Sequence, residues 1–274
     1  MKNGDRREPA VAGSFYPADP GPLRALVEEL LAGVPDERRR ARAAIVPHAG
    51  LQYSGACAAQ VWGRLAIPGI VVIVAPNHTG LCRSPGASLW AHGAFETPLG
   101  AVAVDEAFAE AVARSSVLAA HDPLAHAQEH AIEVELPFLR VRAPTAAIAP
   151  VVLAWDDWDS CRSFAGALVA AVRATAHEVL LVASSDMTHY ESAESAAAKD
   201  RHALTAVKRL DGRGLLDACV RHRVTMCGRA PAAVVLEAAR QLGASRAEVV
   251  DYRHSGMVTG DDESVVAYAG VIVS

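Results

Sequence analysis

Short, continuous apolar runs alternate along this chain with longer segments whose apolar residues recur every three or four positions. That alternation predicts an α/β fold. Gly69 to Ala75 (GIVVIVA) is the clearest run, of the kind found in strands buried on both faces. Ala43 to Val46, Ile148 to Leu153 and Val179 to Ala183 are further strands, and Val249 to Tyr252 and Val265 to Val273 close the chain. Residues 87–104 read as two or three short strands with turns at Gly93 and Gly100. Helices are predicted from Asp19-Pro20 through Leu31, from a Ser54 cap through Leu65, and from Asp105 to about Arg114. Others run from Asp122-Pro123 to about Leu139 and from Asp157 to Ala174. Two or three more fill 191–242, interrupted at Gly228 to Pro231. Glycine and proline are spread evenly and no repeat or linker intervenes, so residues 1–274 are expected to form one domain.

Composition narrows the function classes. The chain has 26 Lys+Arg against 31 Asp+Glu, a net charge of −5, which argues against nucleic-acid or anionic-membrane binding. No apolar stretch approaches the roughly 18 residues of a membrane helix. The polar segment Met1 to Glu8 is unlike a signal peptide, so a cytoplasmic location is expected. Five widely spaced cysteines without a CxxC argue against a disulfide framework or a zinc finger.

The chemistry gathers at strand ends. Ala43–Val46 runs into Pro47-His48-Ala49-Gly50, Gly69–Ala75 into Pro76-Asn77-His78, and Val179–Ala183 into Ser184-Ser185-Asp186-Met187-Thr188-His189. Ligands of open α/β sheets bind beyond the carboxyl ends of the strands. If these strands are parallel neighbours, His48, His78, Asp186 and His189 meet in one crevice. Separate loop histidines bonded to backbone are the alternative. Convergent imidazoles beside a carboxylate suit a first-row transition metal. Cys227 precedes a helix expected to start near Pro231 and adjoins Arg229, a setting that favours a thiolate ligand or nucleophile; a buried small hydrophobe is the alternative.

A competing motif, His126-Ala127-Gln128-Glu129-His130, matches the inverted zincin pattern H-x-x-E-H. On one helix His126 and His130 would share a zinc, with Glu129 as base and Glu133 on the same face. Nothing specifies a third ligand. Phe15, Tyr16, Trp155 and Trp158 are pocket or packing candidates.

Taken in order, several segments resemble the Memo family (mediator of ErbB2-driven cell motility in animals, AmmeMemoRadiSam system protein B in prokaryotes). They are Arg7 to Pro17, Pro47-His48-Ala49-Gly50 with Tyr53-Ser54-Gly55, Pro76-Asn77-His78, Glu129-His130-Ala131-Ile132-Glu133 with Leu136-Pro137-Phe138, Ser184-Ser185-Asp186 with His189, and Cys227-Gly228-Arg229. That family is similar to LigB-type class III extradiol dioxygenases, which implies a mixed sheet sandwiched between helices. The resemblance implies His48 and His78 as metal ligands and His189 as a proton-handling group, with Asp186 orienting a histidine or accepting from substrate. Where the dioxygenases carry a glutamate ligand, the Memo pattern has cysteine, here Cys227. A thiolate is softer and oxidisable. One metal is therefore expected, Fe(II) first and copper or zinc as alternatives. Tyr53, Glu129, His130 and Glu133 become pocket residues and His126 incidental. The implied function is metal-dependent redox or oxygen chemistry on an unknown small substrate. The implied partners are an AMMECR1-type protein and a radical-SAM protein. The alternatives are a non-enzymatic module binding a peptide or anionic ligand in the same pocket, and the zincin peptidase.

Overall fold

The computed structural model describes residues 6–274; Met1 to Asp5, part of the polar amino-terminal stretch, lie outside the described residues. The strands are β1 (Arg6–Arg7), β2 (Ala43–Val46), β3 (Ile70–Pro76), β4 (Ala87–Leu89), β5 (Ala94–Phe95), β6 (Val102–Ala103), β7 (Ala119–His121), β8 (Ala147–Leu153), β9 (Val179–Ser184), β10 (His189–Glu191), β11 (Ala247–His254) and β12 (Val265–Val273). Nine of them form one mixed sheet in the order β10-β12-β2-β9-β3-β8-β4-β7, with β11 on the other edge of β12. Its centre, β2-β9-β3-β8, is parallel. A small sheet, β1-β5-β6, carries the start of the described chain.

Both faces of the parallel centre are buried, and side chains alternate between two cores. Ala43, Ile45, Val72, Val74, Leu181 and Ala183 face one core, and Ala44, Val46, Val71, Ile73, Leu180 and Val182 the other. The first core is closed by the helices Glu106–Ser115, Trp158–Ala174, Ala193–Lys208, Gly212–His222 and Arg229–Gln241. The second is closed by Pro20–Ala32, Leu51–Trp62 and Leu136–Arg142. The expected mixed sheet between helical layers is thus the observed fold. Asp19, Asp105 and Asp157 cap their helices through side-chain bonds to backbone N–H groups, as their positions predicted. No helix among the described residues is long and apolar enough to cross a membrane.

Three sequence expectations need correction. Ser54 does not cap its helix, which starts at Leu51 after Gly50; Ser54 lies in the second turn, and its hydroxyl donates to the Ala49 carbonyl at 2.8 Å. The break expected at Gly228–Pro231 falls earlier, at 223–228, and Pro231 sits in the first turn of Arg229–Gln241, where a proline costs no hydrogen bond.

The long helix expected over 122–139 is broken. Pro123–Ala127 is a short helix, Glu133–Glu135 a single 3-10 turn, and Leu136–Arg142 a separate helix with Pro137 in its first turn. A continuous helix would drive the Pro137 ring into the carbonyl of residue 133. The break also turns three acidic side chains, Glu129, Glu133 and Glu135, into the interior.

Candidate metal centre

Register places the site. Val46 pairs with Ser184 and Val74 with Ala183, so β9 lies between β2 and β3 with the carboxyl ends of all three together. His48, two residues past β2, and His78, two past β3, then face each other with ring centroids 5.1 Å apart. Cys227 arrives from the turn before Arg229–Gln241, its Sγ 3.3 Å from His48 Nε2. One ligand atom from each of His48, His78 and Cys227 lies within 4.8 Å of the others. His48 is buried, Cys227 half-buried and His78 exposed, so the cluster opens on the His78 side.

Each donor is oriented from behind. His48 Nδ1 lies 2.8 Å from Ser184 Oγ, which leaves Nε2 on the Cys227 side. His78 Nδ1 lies 2.9 Å from Glu129 Oε1, a carboxylate–histidine pair of the kind that fixes metal-binding imidazoles. The Asp186 backbone N–H donates to Cys227 Sγ at 3.3 Å. Gly228, beside Cys227, packs so closely on the Ser184 carbonyl that a Cβ there would lie 2.5 Å from it.

A second group of donors, His78, Glu129 and His130, is also compact. Glu129 is poorly placed to be a ligand. Its two oxygens accept from the His78 backbone N–H at 2.6 Å, the Ala131 N–H at 3.0 Å and the His78 ring. Burial raises this carboxyl, but those bonds and the His78 and His130 rings outweigh burial and hold it below its ordinary value. His130 stacks on His78 with centroids 4.6 Å apart and 23° between planes, and its ring also meets Phe15 at 4.8 Å and His48 at 5.4 Å. The donor set best arranged for a metal is therefore His48, His78 and Cys227.

Electrostatics agree with a neutral His48. Burial, then the neighbouring His78, His130 and His189 rings, push His48 well below its ordinary value. The thiol differs from the sequence expectation of a favoured thiolate. Arg229 turns to Asp156, its Nε donating to that carboxylate at 2.9 Å. Burial and then Asp186 push Cys227 far up, although the Asp186, Ser185 and Gly228 hydrogen bonds oppose them. Cys227 Sγ and His48 Nε2 thus face each other across 3.3 Å, and a metal cation between them would displace the thiol proton. At pH 7, titration calorimetry in buffers of different ionisation enthalpy should find about one proton released per metal bound. Release near zero would mean that Cys227 is not a ligand.

The other residues expected at the site are placed less uniformly. Asp186 is buried, and burial pushes its carboxyl up to about 7 against the two backbone N–H bonds it accepts, from His48 at 2.8 Å and Ala49 at 3.3 Å. It therefore fixes the His48 backbone rather than a histidine ring. His189 Nδ1 donates to the Thr225 carbonyl at 3.0 Å, which leaves Nε2 as the basic nitrogen. Tyr53 is half-buried in the first turn of its helix. Glu133 does not face the cluster: it accepts from the Arg7 guanidinium, from Tyr16 Oη at 2.5 Å, and from the Ala10 and Val11 N–H groups. Arg7 also donates to the His126 and Glu129 carbonyls, so this buried pair ties the amino-terminal segment to the loop that carries Glu129 and His130.

His126 stands apart from the cluster. The broken helix separates it from His130, and its ring lies against Trp90 and Phe95 with Nε2 2.9 Å from the Ser88 carbonyl. Burial pushes its pKa down to about 4. His126→Ala should leave metal content unchanged, and a zinc-dependent peptidase activity lost in Glu129→Ala would contradict this placement.

Glu135 and Thr225 join the site without standing out in the sequence, and Ser184 stands out only as part of the Ser184-Ser185-Asp186 segment. Ser184 ends an apolar strand and Glu135 lies in a segment expected to be helical, so neither carries a signal of its own beyond the polar strand end. A cavity of about 520 Å³ adjoins Cys227 and is lined by Pro76, Asn77, Trp155, Thr225 and Arg229 among others.

A mixed sheet between two helical layers, with two imidazoles and a thiol converging at the carboxyl edge of its parallel centre, defines a three-layer α/β protein with a candidate metal centre. The chain belongs to the Memo family: the family model described as Memo-like protein matches residues 7–272. A MEMO1 family protein of Aquifex aeolicus is 41% identical over 97% of this chain and 98% of its own length. MEMO1 family proteins of Methanothermobacter thermautotrophicus and Methanopyrus kandleri are each 39% identical, over 96% and 97% of this chain and 98% of their own lengths.

Proposed function

We propose that this chain carries out metal-dependent redox or oxygen chemistry on a small molecule, using one transition metal held by His48, His78 and Cys227. The observation that carries the reading is the convergence of those three donors within 4.8 Å, two of them with their other ring nitrogen already engaged. Two neutral imidazoles and one anionic donor follow the logic of non-haem iron sites, with thiolate in the place of carboxylate, and Fe(II) is the first candidate. When bound, the metal would supply Lewis acidity and one-electron chemistry.

The chain's own residues do the rest. Ser184 and Glu129 hold the two rings, and Asp186 holds the His48 backbone. His189 is kept neutral chiefly by burial, which lowers it, with its Nε2 lone pair available to take a proton from substrate. Thr225 mounts His189 and, with Cys227, lines the cavity, so a molecule there would lie against the thiol of the donor cluster. Binding of an anionic ligand without turnover draws less support, because the Arg229 guanidinium is already engaged by Asp156.

His189→Ala should keep its metal and lose turnover by on the order of 100- to 10,000-fold, the range expected when a positioned acid–base group is removed. Loss of metal to the same degree as in His48→Ala would make His189 a ligand. The test of the function itself is the spectrum and oxygen uptake of iron-loaded protein under anaerobic and then aerobic conditions. Identical spectra and no uptake would sink the redox reading.

A further inference from the structure

Behind His48 lies a buried carboxyl that the proposed chemistry does not use. Glu135 is fully buried, with Oε2 accepting from Trp62 Nε1 at 2.9 Å and Oε1 lying 2.9 Å from Ser184 Oγ. The same Ser184 oxygen lies 2.7 Å from the Ala131 carbonyl and 2.8 Å from His48 Nδ1. A serine hydroxyl has one hydrogen to give and two lone pairs to receive. The Ala131 carbonyl can only accept, so the shortest of the three contacts takes the serine hydrogen. The other two groups must then donate to Ser184 Oγ. His48 does so from Nδ1–H, and Glu135 does so only as a carboxylic acid.

We propose that Glu135 is a proton-carrying positioning residue: as a neutral acid donating to Ser184, it fixes the tautomer of His48 that turns the Nε2 lone pair toward Cys227. Its surroundings agree. Trp62 supplies a neutral N–H from its helix, and β9 supplies Ser184. The charged group that bears on Glu135 is the Asp186 carboxyl, of the same sign. Its near neighbour Glu133 is already paired with Arg7. Ionised, Glu135 would be a buried charge without a cation, and Ser184 would have to abandon Ala131 to serve it. Burial, the largest cause, pushes the Glu135 carboxyl up to about 8 against the Trp62 and Ser184 bonds.

The positioning role rests on His48 being a ligand, but the proton can be read in metal-free protein. Difference infrared spectroscopy of wild type against Glu135→Gln at pH 7 should show a protonated-carboxyl C=O band, above the amide and carboxylate bands, present only in wild type. Glutamine keeps both hydrogen bonds, its amide N–H to Ser184 and its carbonyl to Trp62, so the variant is expected to fold. If it does not, Asp186→Asn titrated from pH 6 to 10 beside wild type reads the same band free of the Asp186 carboxyl, itself pushed up to about 7, and the band that remains should fade with a midpoint near 8. Nitrogen-15 NMR should find His48 as the Nδ1–H tautomer in both proteins. No difference band with the variant folded, no fading band in Asp186→Asn, or an Nε2–H tautomer in wild type would overturn the proposal. A protein that shows the band and the tautomer but binds no metal would instead defeat the metal reading and leave the Glu135 proton standing.

Discussion

Replacing His48 by alanine should abolish stoichiometric metal binding. His48 is 1% exposed, and its Nε2 faces Cys227 Sγ across 3.3 Å while Nδ1 is held by Ser184. Alanine removes a proposed ligand and leaves Cys227 Sγ without the ring nitrogen it faces. Structural four-ligand zinc sites bind with about 10–16 kcal/mol, so one lost ligand costs on the order of 3 kcal/mol, roughly a hundredfold in affinity. Metal per chain, measured by elemental analysis after desalting, should fall from about one to near zero. Because Ala49 and Asp186 still fix the backbone, the variant should keep its fold. Undiminished metal in a folded His48→Ala protein would contradict the assignment.

Replacing Arg7 by alanine should destabilise the protein by about 3–5 kcal/mol, the cost of leaving one member of a buried ion pair without the other. Arg7 and Glu133 side chains are 1% and 0% exposed. Without the guanidinium, Glu133 keeps only Tyr16 Oη and the Ala10 and Val11 N–H groups, and the His126 and Glu129 carbonyls lose a donor each. The loop that carries Glu129 and His130 should loosen as well, which weakens the orientation of His78. Chemical denaturation should report the stability loss. Metal titration of the folded fraction should report a site weaker by roughly 10- to 100-fold, the loss typical when the group that orients a ligand is disturbed. A variant within about 0.5 kcal/mol of wild type, the range of ordinary surface substitutions, would show that the pair contributes little.

The strand-end histidines are legible in the sequence because parallel strands buried on both faces read as unbroken apolar runs, and the residues just past such a run lie at the ligand-binding edge. The neighbour relation of β2, β9 and β3 is only a condition in the sequence and is fixed by the register of Val46 with Ser184 and Val74 with Ala183. The 122–139 segment misleads because its apolar spacing fits a helix. Pro137 is the signal that a continuous helix cannot pass, and three buried glutamates explain what the chain does instead. The Arg7–Glu133 pair joins residues 126 positions apart and leaves no local pattern. The Cys227 thiol misleads for a similar reason: adjacency of Arg229 in sequence says nothing of Asp156, which holds the guanidinium away from the thiol.

If His48, His78 and Cys227 together hold one metal ion, its ligand atoms can be read directly. X-ray absorption at the iron edge does so, on protein purified without added metal or chelator and loaded anaerobically with one equivalent of Fe(II). The expected result is one sulfur at about 2.3 Å, the distance usual for a metal thiolate, with imidazole nitrogens in the same shell. The sulfur should disappear in Cys227→Ser. A first shell of nitrogen and oxygen only, identical in wild type and Cys227→Ser, would contradict a centre built on these three residues.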